Sequence, residues 1–488
     1  MQQQKLCAAE AVQCRLDKSS RSIFHVAQAL HQKCLVVDDT AFIGGVDLTV
    51  CDDGDFNRWD TPAHLFEPAD RSTDLGPAPH PWHDVHLLLT GAPVKDVEHN
   101  FLQRWQEAEW PWWKRMPPPL KNLTTFYLSG NRESGQKAAR EEETGEIPPG
   151  AGPPISGTAT RVQVIRTIPA LTYRFAPAGI YGIAQSYTLA VRRAKRFIYL
   201  ETQYLWLERF LGMDLLWLGW QSHHMRAFME ELAAAAERGV TVALVLPDHP
   251  NCGRFVTDGT IAWLLKHAPH AAAEGRLHFF CLGTAQPTPE QGVRRYRPVY
   301  VHAKVGIVDD LWATVGSANL NSRSLSHDAE LNVAALDPAF ARGLRLSLWA
   351  EHLGALSDAH TGWPAPAVLP LPKPMAVPSD DDLRALVAPT DMRAPLPADE
   401  QPLQDHYGEE ELAALEDPLA GIALLARRAQ ENLKRLRQGE PLVGHILPYL
   451  HSEEGAAFGV KVDRFCGVLD PLDAEQTGVP VRHMRRYT

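Results

Sequence analysis

Short apolar runs bounded by Asp and Gly occur twice along this chain in the same arrangement. Residues 34–37 (Cys-Leu-Val-Val) and 41–43 (Ala-Phe-Ile) predict two short buried strands, and 305–308 with 312–315 repeat the pair. A further strand is expected at 85–90. Residues 93–108 follow it, with Val94, Val97, Phe101, Leu102 and Trp105 at helical spacing. The second copy ends the same way, with a strand at 330–335 and a helix at 338–353. Ahead of it come strands at 161–166, 197–200 and 240–246, alternating with helices at 179–194 and 222–238. Such β-α-β alternation implies an α/β sandwich. Residues 419–437 form one amphipathic helix with a basic face. Packing against the protein is its expected use, with a membrane surface as the alternative.

The fold class expected is therefore α/β, with two pseudo-repeated α/β sandwich halves sharing one active site. The halves span 1–129 and 161–355. Between them, 130–160 is rich in Gly, Pro and Glu and reads as a flexible linker. Residues 356–488 form a Pro-rich segment and a C-terminal region to which the pattern assigns no role. The halves are unequal, because far less β-α-β structure precedes the first copy of the repeat than the second. The first half is expected to be incomplete at its N-terminus.

Composition narrows the class. With 488 residues, two or three domains and a sizeable core are expected. Hydrophobic residues at 45% and charged residues at 22% describe an ordinary globular chain. A net charge of −11 argues against a general nucleic-acid binder. Seven cysteines without CxxC or zinc spacing fit a reducing compartment better than a disulfide framework. No stretch reaches the roughly 18 apolar residues of a membrane span. The expected location is cytoplasmic or peripheral to a membrane.

The chemistry lies at the repeat. His31, Lys33 and Asp38 precede Gly44-Gly45, and His302, Lys304 and Asp309 precede Gly316-Ser317. Each set reads His-x-Lys-x4-Asp, followed by a second Asp (Asp39, Asp310). One such motif arises by chance; two, each running through an apolar stretch into a Gly turn, do not. Two histidines and two lysines on one site suit attack on a phosphodiester, since imidazole can act as nucleophile or acid and ammonium can hold a phosphate oxygen. On a strand, His and Lys of each motif project to the same face. Asp38 and Asp309 then fall on the opposite face and are expected to pin backbone or turn structure. Gly44 and Gly45 allow close approach of backbone to phosphate, and Ser317 and Asn319 can add hydrogen bonds to its oxygens. A nucleophilic histidine needs an acceptor on its other ring nitrogen. Aligning the repeats offers Asp84 and Glu330 as the orienting carboxylates, in either pairing. His83 and His86 bring no third ligand with them, so no metal site is expected. Trp59 and Trp82 read as packing residues.

These residues resemble the phospholipase D superfamily, from about 25 to 110 and from 161 to 354. The paired motifs carry the likeness to the superfamily. Arg58-Trp59-Asp60-Thr61-Pro62-Ala63-His64 and Pro81-Trp82-His83-Asp84-Val85-His86 narrow it to phospholipase D proper, and Gln103-Arg104-Trp105 and Glu201-Thr202-Gln203-Tyr204 are among the matching stretches. The resemblance implies one active site on a pseudo-twofold axis and a two-step reaction without metal or cofactor. It makes His31 the nucleophile that forms a phosphohistidine and His302 the acid that protonates the departing alcohol. The substrate implied is a glycerophospholipid at a membrane surface, cleaved to phosphatidic acid and headgroup. Three readings stay open beside it: a cardiolipin-synthase-like phosphatidyltransferase, a nuclease, and an inactive lipid-binding chain. The departures are Gly45 where the second half has Ser317 and Asp47 where it has Asn319, so a phosphate-facing amide is not symmetric between the halves; the sequence missing before the first motif suggests a chain truncated at its start.

Overall fold

The computed structural model describes residues 28–47, 81–108, 161–208, 222–250, 253–287, 294–355 and 413–450, together with Arg15, Asp17, His64 and two short strands near the C-terminus. The expected linker at 130–160, the Pro-rich stretch before 413 and most of the Arg-Trp-Asp-Thr-Pro stretch lie outside these residues.

In chain order the strands are β1 (Cys34–Val37), β2 (Thr40–Gly44), β3 (Trp82–His83), β4 (His86–Thr90), β5 (Arg161–Ile168), β6 (Ile180–Tyr181), β7 (Phe197–Glu201), β8 (Leu205–Trp206) and β9 (Thr241–Val245). They continue as β10 (Leu277–Pro287), β11 (Arg294–Val301), β12 (Val305–Val308), β13 (Trp312–Gly316), β14 (Leu320–Asn321), β15 (Glu330–Leu336), β16 (Ile446–Pro448), β17 (Val462–Asp463) and β18 (Gly467–Val468). The helices are α1 (Val94–Glu107), α2 (Gly182–Arg193), α3 (His223–Glu237), α4 (Arg254–His267), α5 (Pro269–Ala273), α6 (Pro338–Leu353) and α7 (Pro418–Gln438).

An 11-stranded mixed sheet runs in the order β3-β11-β10-β9-β7-β12-β13-β15-β5-β6, with β16 also on β10. Its central strands are buried on both faces, as their unbroken apolar runs require. One apolar cluster joins α2, α3 and α4 to one face, and another joins α6 and α7 to the other. The first half contributes a separate three-stranded antiparallel sheet, β1-β2-β4. Ala41, Ile43, Leu89, Val94 and Val97 bury its inner face against Leu331 and Val333 of β15.

Two connections cross between the halves. β3, from the first half, pairs in parallel with β11, setting Val301 opposite His83. A parallel bridge sets Leu30 opposite Ala329 in the equivalent place. Neither β10 nor β11 was anticipated from the pattern: 294–298 (Arg-Arg-Tyr-Arg-Pro) is charged and holds a proline.

The chain beyond 413 is integral to this architecture. Asp417 caps α7 by accepting from the backbone N–H groups of Leu419 and Ala420. The helix buries Ile422, Leu424, Leu425, Ala429 and Leu433 in the two apolar clusters of the large sheet. Its apolar face is thus used in packing, not left for a membrane surface. β16 then adds to β10, and the buried Asn432 side chain holds the turn before it through Val443 and Ile446.

Candidate active site

Each His-Lys pair lies in the three extended residues just before a hairpin, outside the strand ladder on which the sequence reading set it. The hairpins β1–β2 and β12–β13 follow. The aspartates sit at their turns with positive φ, 50° at Asp38, 55° at Asp309 and 53° at Asp310, a region Asp tolerates better than most residues. Asp309 turns away from the histidines. Its carboxylate accepts from the backbone N–H groups of Lys195, Arg196 and Phe197, which fixes the start of β7 against the turn. Asp310 makes a two-bonded ion pair with the buried Arg345, at 2.7 and 2.8 Å. That guanidinium also donates to the Leu415 carbonyl, tying the turn to α6 and the C-terminal region.

The two histidines are oriented crosswise. His302 Nδ1 lies 2.7 Å from Asp84 Oδ2, and His31 Nδ1 lies 3.0 Å from both oxygens of Glu330. An ionised carboxylate only accepts, so Nδ1–H donates in both pairs and Nε2 is left to face the site. Each half therefore supplies the carboxylate for the other half's histidine. The backbone explains the exchange. Leu30 bridges Ala329, His31 N–H donates to the Ala329 carbonyl at 2.9 Å, and Glu330 is the next residue. Val301 pairs with His83, His302 N–H donates to the His83 carbonyl at 2.8 Å, and Asp84 is the next residue. One parallel step, used twice about a pseudo-twofold, sets both carboxylates.

Small residues make room for this. A Cβ on Gly45 would come within 2.8 Å of Asp84 Cγ, and one on Gly44 would strike Val85 and His86. Ser317, the counterpart of Gly45, carries a hydroxyl that donates to Glu330 at 2.5 Å. In the free protein that hydroxyl is thus spent on the carboxylate behind His31. Asn319 donates to Gln203 Oε1 at 3.3 Å, and Lys304 Nζ reaches the same oxygen at 3.3 Å. Lys33 Nζ pairs with Asp47 at 3.0 Å. Each ammonium also donates back to the carbonyl of its own motif histidine.

Burial differs between the pairs. The His31 side chain is 26% exposed and that of His302 only 4%. Trp82 and Tyr300 rings flank His302, with centroids at 5.2 and 6.2 Å. Burial, and then the Lys304 charge, push His302 down to about 4, against the pull of Asp84. Burial likewise pushes Lys304 down to about 7, with the nearby Lys33 adding to the effect and Asp84 opposing it. Against their own desolvation, Asp84 and Glu330 are held below the usual carboxylate range, first by the charge of His302 and of His31 respectively. Lys33 acts on Lys304 and on Glu330, so both motifs share one electrostatic environment.

Sequence reasoning gave no role to Gln203 or Gln32, and noted Asp47 only as the counterpart of Asn319. Gln32 donates to the Glu330 carbonyl at 3.0 Å and accepts from Arg104 at 2.6 Å. Gln203 lies in the quoted Glu-Thr-Gln-Tyr stretch, which was the available signal.

Two motif halves, each completed by a carboxylate from the other, make up the candidate site. Residues 192–349 match the family model described as cardiolipin synthase, PLD-like domain. Phospholipase D alpha 1 of Nicotiana tabacum is 30% identical over 436 residues, covering 67% of this chain and 49% of that protein. Phospholipase D alpha 1 of Zea mays is 29% identical over 438 residues, with the same shares. The chain spans about half the length of the curated relatives it matches. Among solved structures, a phosphatidylserine synthase of Haemophilus influenzae is 14% identical, covering 64% of this chain and 59% of that one, with a TM-score of 0.34, too low to carry weight. The chain is thus similar to phospholipase D proteins over two thirds of its length.

Proposed function

We propose that this chain is a phospholipase D, cleaving the headgroup of a glycerophospholipid to leave phosphatidic acid. The crossed His–carboxylate pairs carry this reading, because they leave two imidazole Nε2 atoms and two ammonium groups for one phosphodiester. His31, the more exposed, attacks phosphorus through Nε2 and forms a phosphohistidine. The P–O bond to the headgroup breaks as His302 gives its Nε2 proton to the departing oxygen. Water then yields a proton to His302 and attacks phosphorus, and the P–N bond breaks. His302 must therefore be protonated when substrate is bound. Burial and Lys304 oppose this in the free protein, and an anionic phosphodiester beside the imidazole favours it. Lys33 and Lys304 hold the non-bridging oxygens, with Gly44, Gly45, Ser317 and Asn319 shaping the phosphate cradle. Asp84 and Glu330 stabilise the imidazolium charge, and Asp38 and Asp309 support the turns beneath.

The substrate is taken from a membrane surface as a peripheral, cytoplasmic protein would meet it. No helix among the described residues is long and apolar enough to cross a membrane. The match to a cardiolipin synthase domain favours a second outcome for the same intermediate, resolution by an alcohol in place of water. The test is release of choline or another headgroup from vesicles. His31→Ala and His302→Ala should each lower it by at least ~10³-fold, the scale of losing a nucleophile or general acid. Near-normal turnover in either variant, with the fold intact, would refute the shared site.

A further inference from the structure

Behind Asp84 lies a second cluster of histidines and carboxylates that the reaction does not use. Glu351 Oε1, on α6, meets His64 Nε2 at 2.9 Å and His83 Nδ1 at 2.7 Å. These three atoms lie within 4.8 Å of one another. His64 and His83 are buried, at 2% and 1% exposure. A fourth imidazole stands beside them: His445 is 7% exposed, and its ring lies 4.8 Å from that of His64 at a steep angle. His445 Nε2 is buried and has no hydrogen-bond partner among the described residues. A buried, unpartnered nitrogen lone pair is costly unless something is there to accept it.

The surroundings are also those of a ligand set. His83 Nε2–H donates to the fully buried Glu201 at 2.7 Å, leaving Nδ1 turned to the cluster. A carboxylate behind a histidine in this way fixes the tautomer of a metal ligand. Glu201 is itself held by Tyr199 at 2.5 Å and His352 at 3.0 Å, so it stays in place. Bonds of ~2.0 Å in a tetrahedron set ligand atoms roughly 3.3 Å apart, so the two contacts of Glu351 with His64 and His83 need to open by only about half an ångström, and the His445 ring has to bring its Nε2 in beside them.

We propose that His64, His83, His445 and Glu351 bind one divalent transition ion of the zinc class, as a structural site. Three imidazoles and one carboxylate form a nitrogen-rich, closed set, which suits zinc and not calcium or magnesium. The ion links three separate parts of the chain: His64 and His83 of the first half, the end of α6, and the C-terminal region at 445. The His83 carbonyl receives the N–H groups of His302 and Ala303, at 2.8 and 3.1 Å, and the next residue is Asp84. The ion thus anchors the strand that presents Asp84 to His302, without touching phosphorus. The sequence hid the site because its four ligands are far apart along the chain.

The test uses the whole chain, purified without chelator. Elemental analysis should find about one zinc per chain, and His445→Ala and His64→Ala should each lose it while the exposed His99→Ala keeps it. Cobalt exchanged into the wild-type protein should show the intense visible bands of a tetrahedral site. Stripping zinc should lower the melting temperature of the wild type but not that of His445→Ala. The proposal is overturned if the wild type, dialysed against zinc, holds less than about a tenth of an ion per chain and melts unchanged. It is equally overturned if cobalt shows only the weak spectrum of a hydrated ion. Both results concern the wild type, so they decide the matter even if a variant fails to fold, and neither depends on headgroup release.

Discussion

If the proposed activity holds, Gly45→Ala should slow headgroup release by displacing Asp84, a residue that does not itself touch phosphorus. The new methyl would sit 2.8 Å from Asp84 Cγ and 3.0 Å from Oδ2, whereas ordinary contact begins at 3.4 Å. Relief at Cγ therefore demands a shift of 3.4 − 2.8 = 0.6 Å, and more at Oδ1, which is closer still. Asp84 is boxed in by its bond to Val85 N–H and by the buried His302, so the shift falls on the 2.7 Å bond to Nδ1. A charge-assisted bond of this kind is worth ~1.5–3 kcal/mol, so losing it should slow turnover ~10- to 10²-fold. The effect should fall on kcat with KM little changed, because the displaced group acts on imidazole orientation. Steady-state headgroup release is the assay, with Gly259→Ala as a control whose Cβ meets nothing within 4 Å. Adding Gly45→Ala to Asp84→Ala should cost almost nothing further, since both act on one bond. If the two losses multiply, or if Gly45→Ala alone works within twofold of wild type, the route through Asp84 is wrong and Gly45 matters for phosphate contact alone.

Three further outcomes follow from the site and its supports. Lys304, pushed down to about 7, carries its charge below that pH and loses it above, so kcat/KM should fall as pH rises through about 7; in Lys304→Arg this limb should vanish even if the rate is low, and its persistence would assign it elsewhere. A primary alcohol should divert the phosphohistidine to phosphatidyl-alcohol at the expense of phosphatidic acid, as product analysis would show; strict hydrolysis at high alcohol would contradict the covalent step. Arg345→Ala should destabilise the fold by ~3–5 kcal/mol in denaturant unfolding, because Asp310 and the Leu415 carbonyl lose a buried partner; a change under ~1 kcal/mol would mean that the turn holds without it.

Much of this was legible in the residues, and the limits have physical causes. The hairpins at 34–44 and 305–316 were readable because their apolar runs are short and end in Asp or Gly. Helices α1, α6 and α7 were readable from their apolar spacing. Strand β11 was not, since its run of Arg and its Pro298 match no strand template, although it delivers His302 to the site. Asp84 and Glu330 could be picked by aligning the repeats, but which histidine each serves depends on parallel pairing between distant segments. The expectation that His and Lys project from a strand placed them together for a reason the fold does not use. They occupy the extended residues before the ladder, held by the other half. Ser317 was read as a phosphate contact, yet its hydroxyl lies on Glu330, and nothing local in the sequence reveals that. His64 and His445 gave no signal alone, because their meaning depends on residues hundreds of positions away.

The exchange of carboxylates between the halves makes the orientation of each motif histidine depend on the other half. Separating the halves by even a small rotation would release both imidazoles from their carboxylates together, since Leu30–Ala329 and Val301–His83 are the contacts that hold them. Neither half could retain a working histidine while the other adjusted. Mutations or ligands that loosen this seam should therefore silence the enzyme abruptly, well before the protein melts. Co-expressed fragments split between 108 and 161 should be inert singly and regain activity only on reassembly.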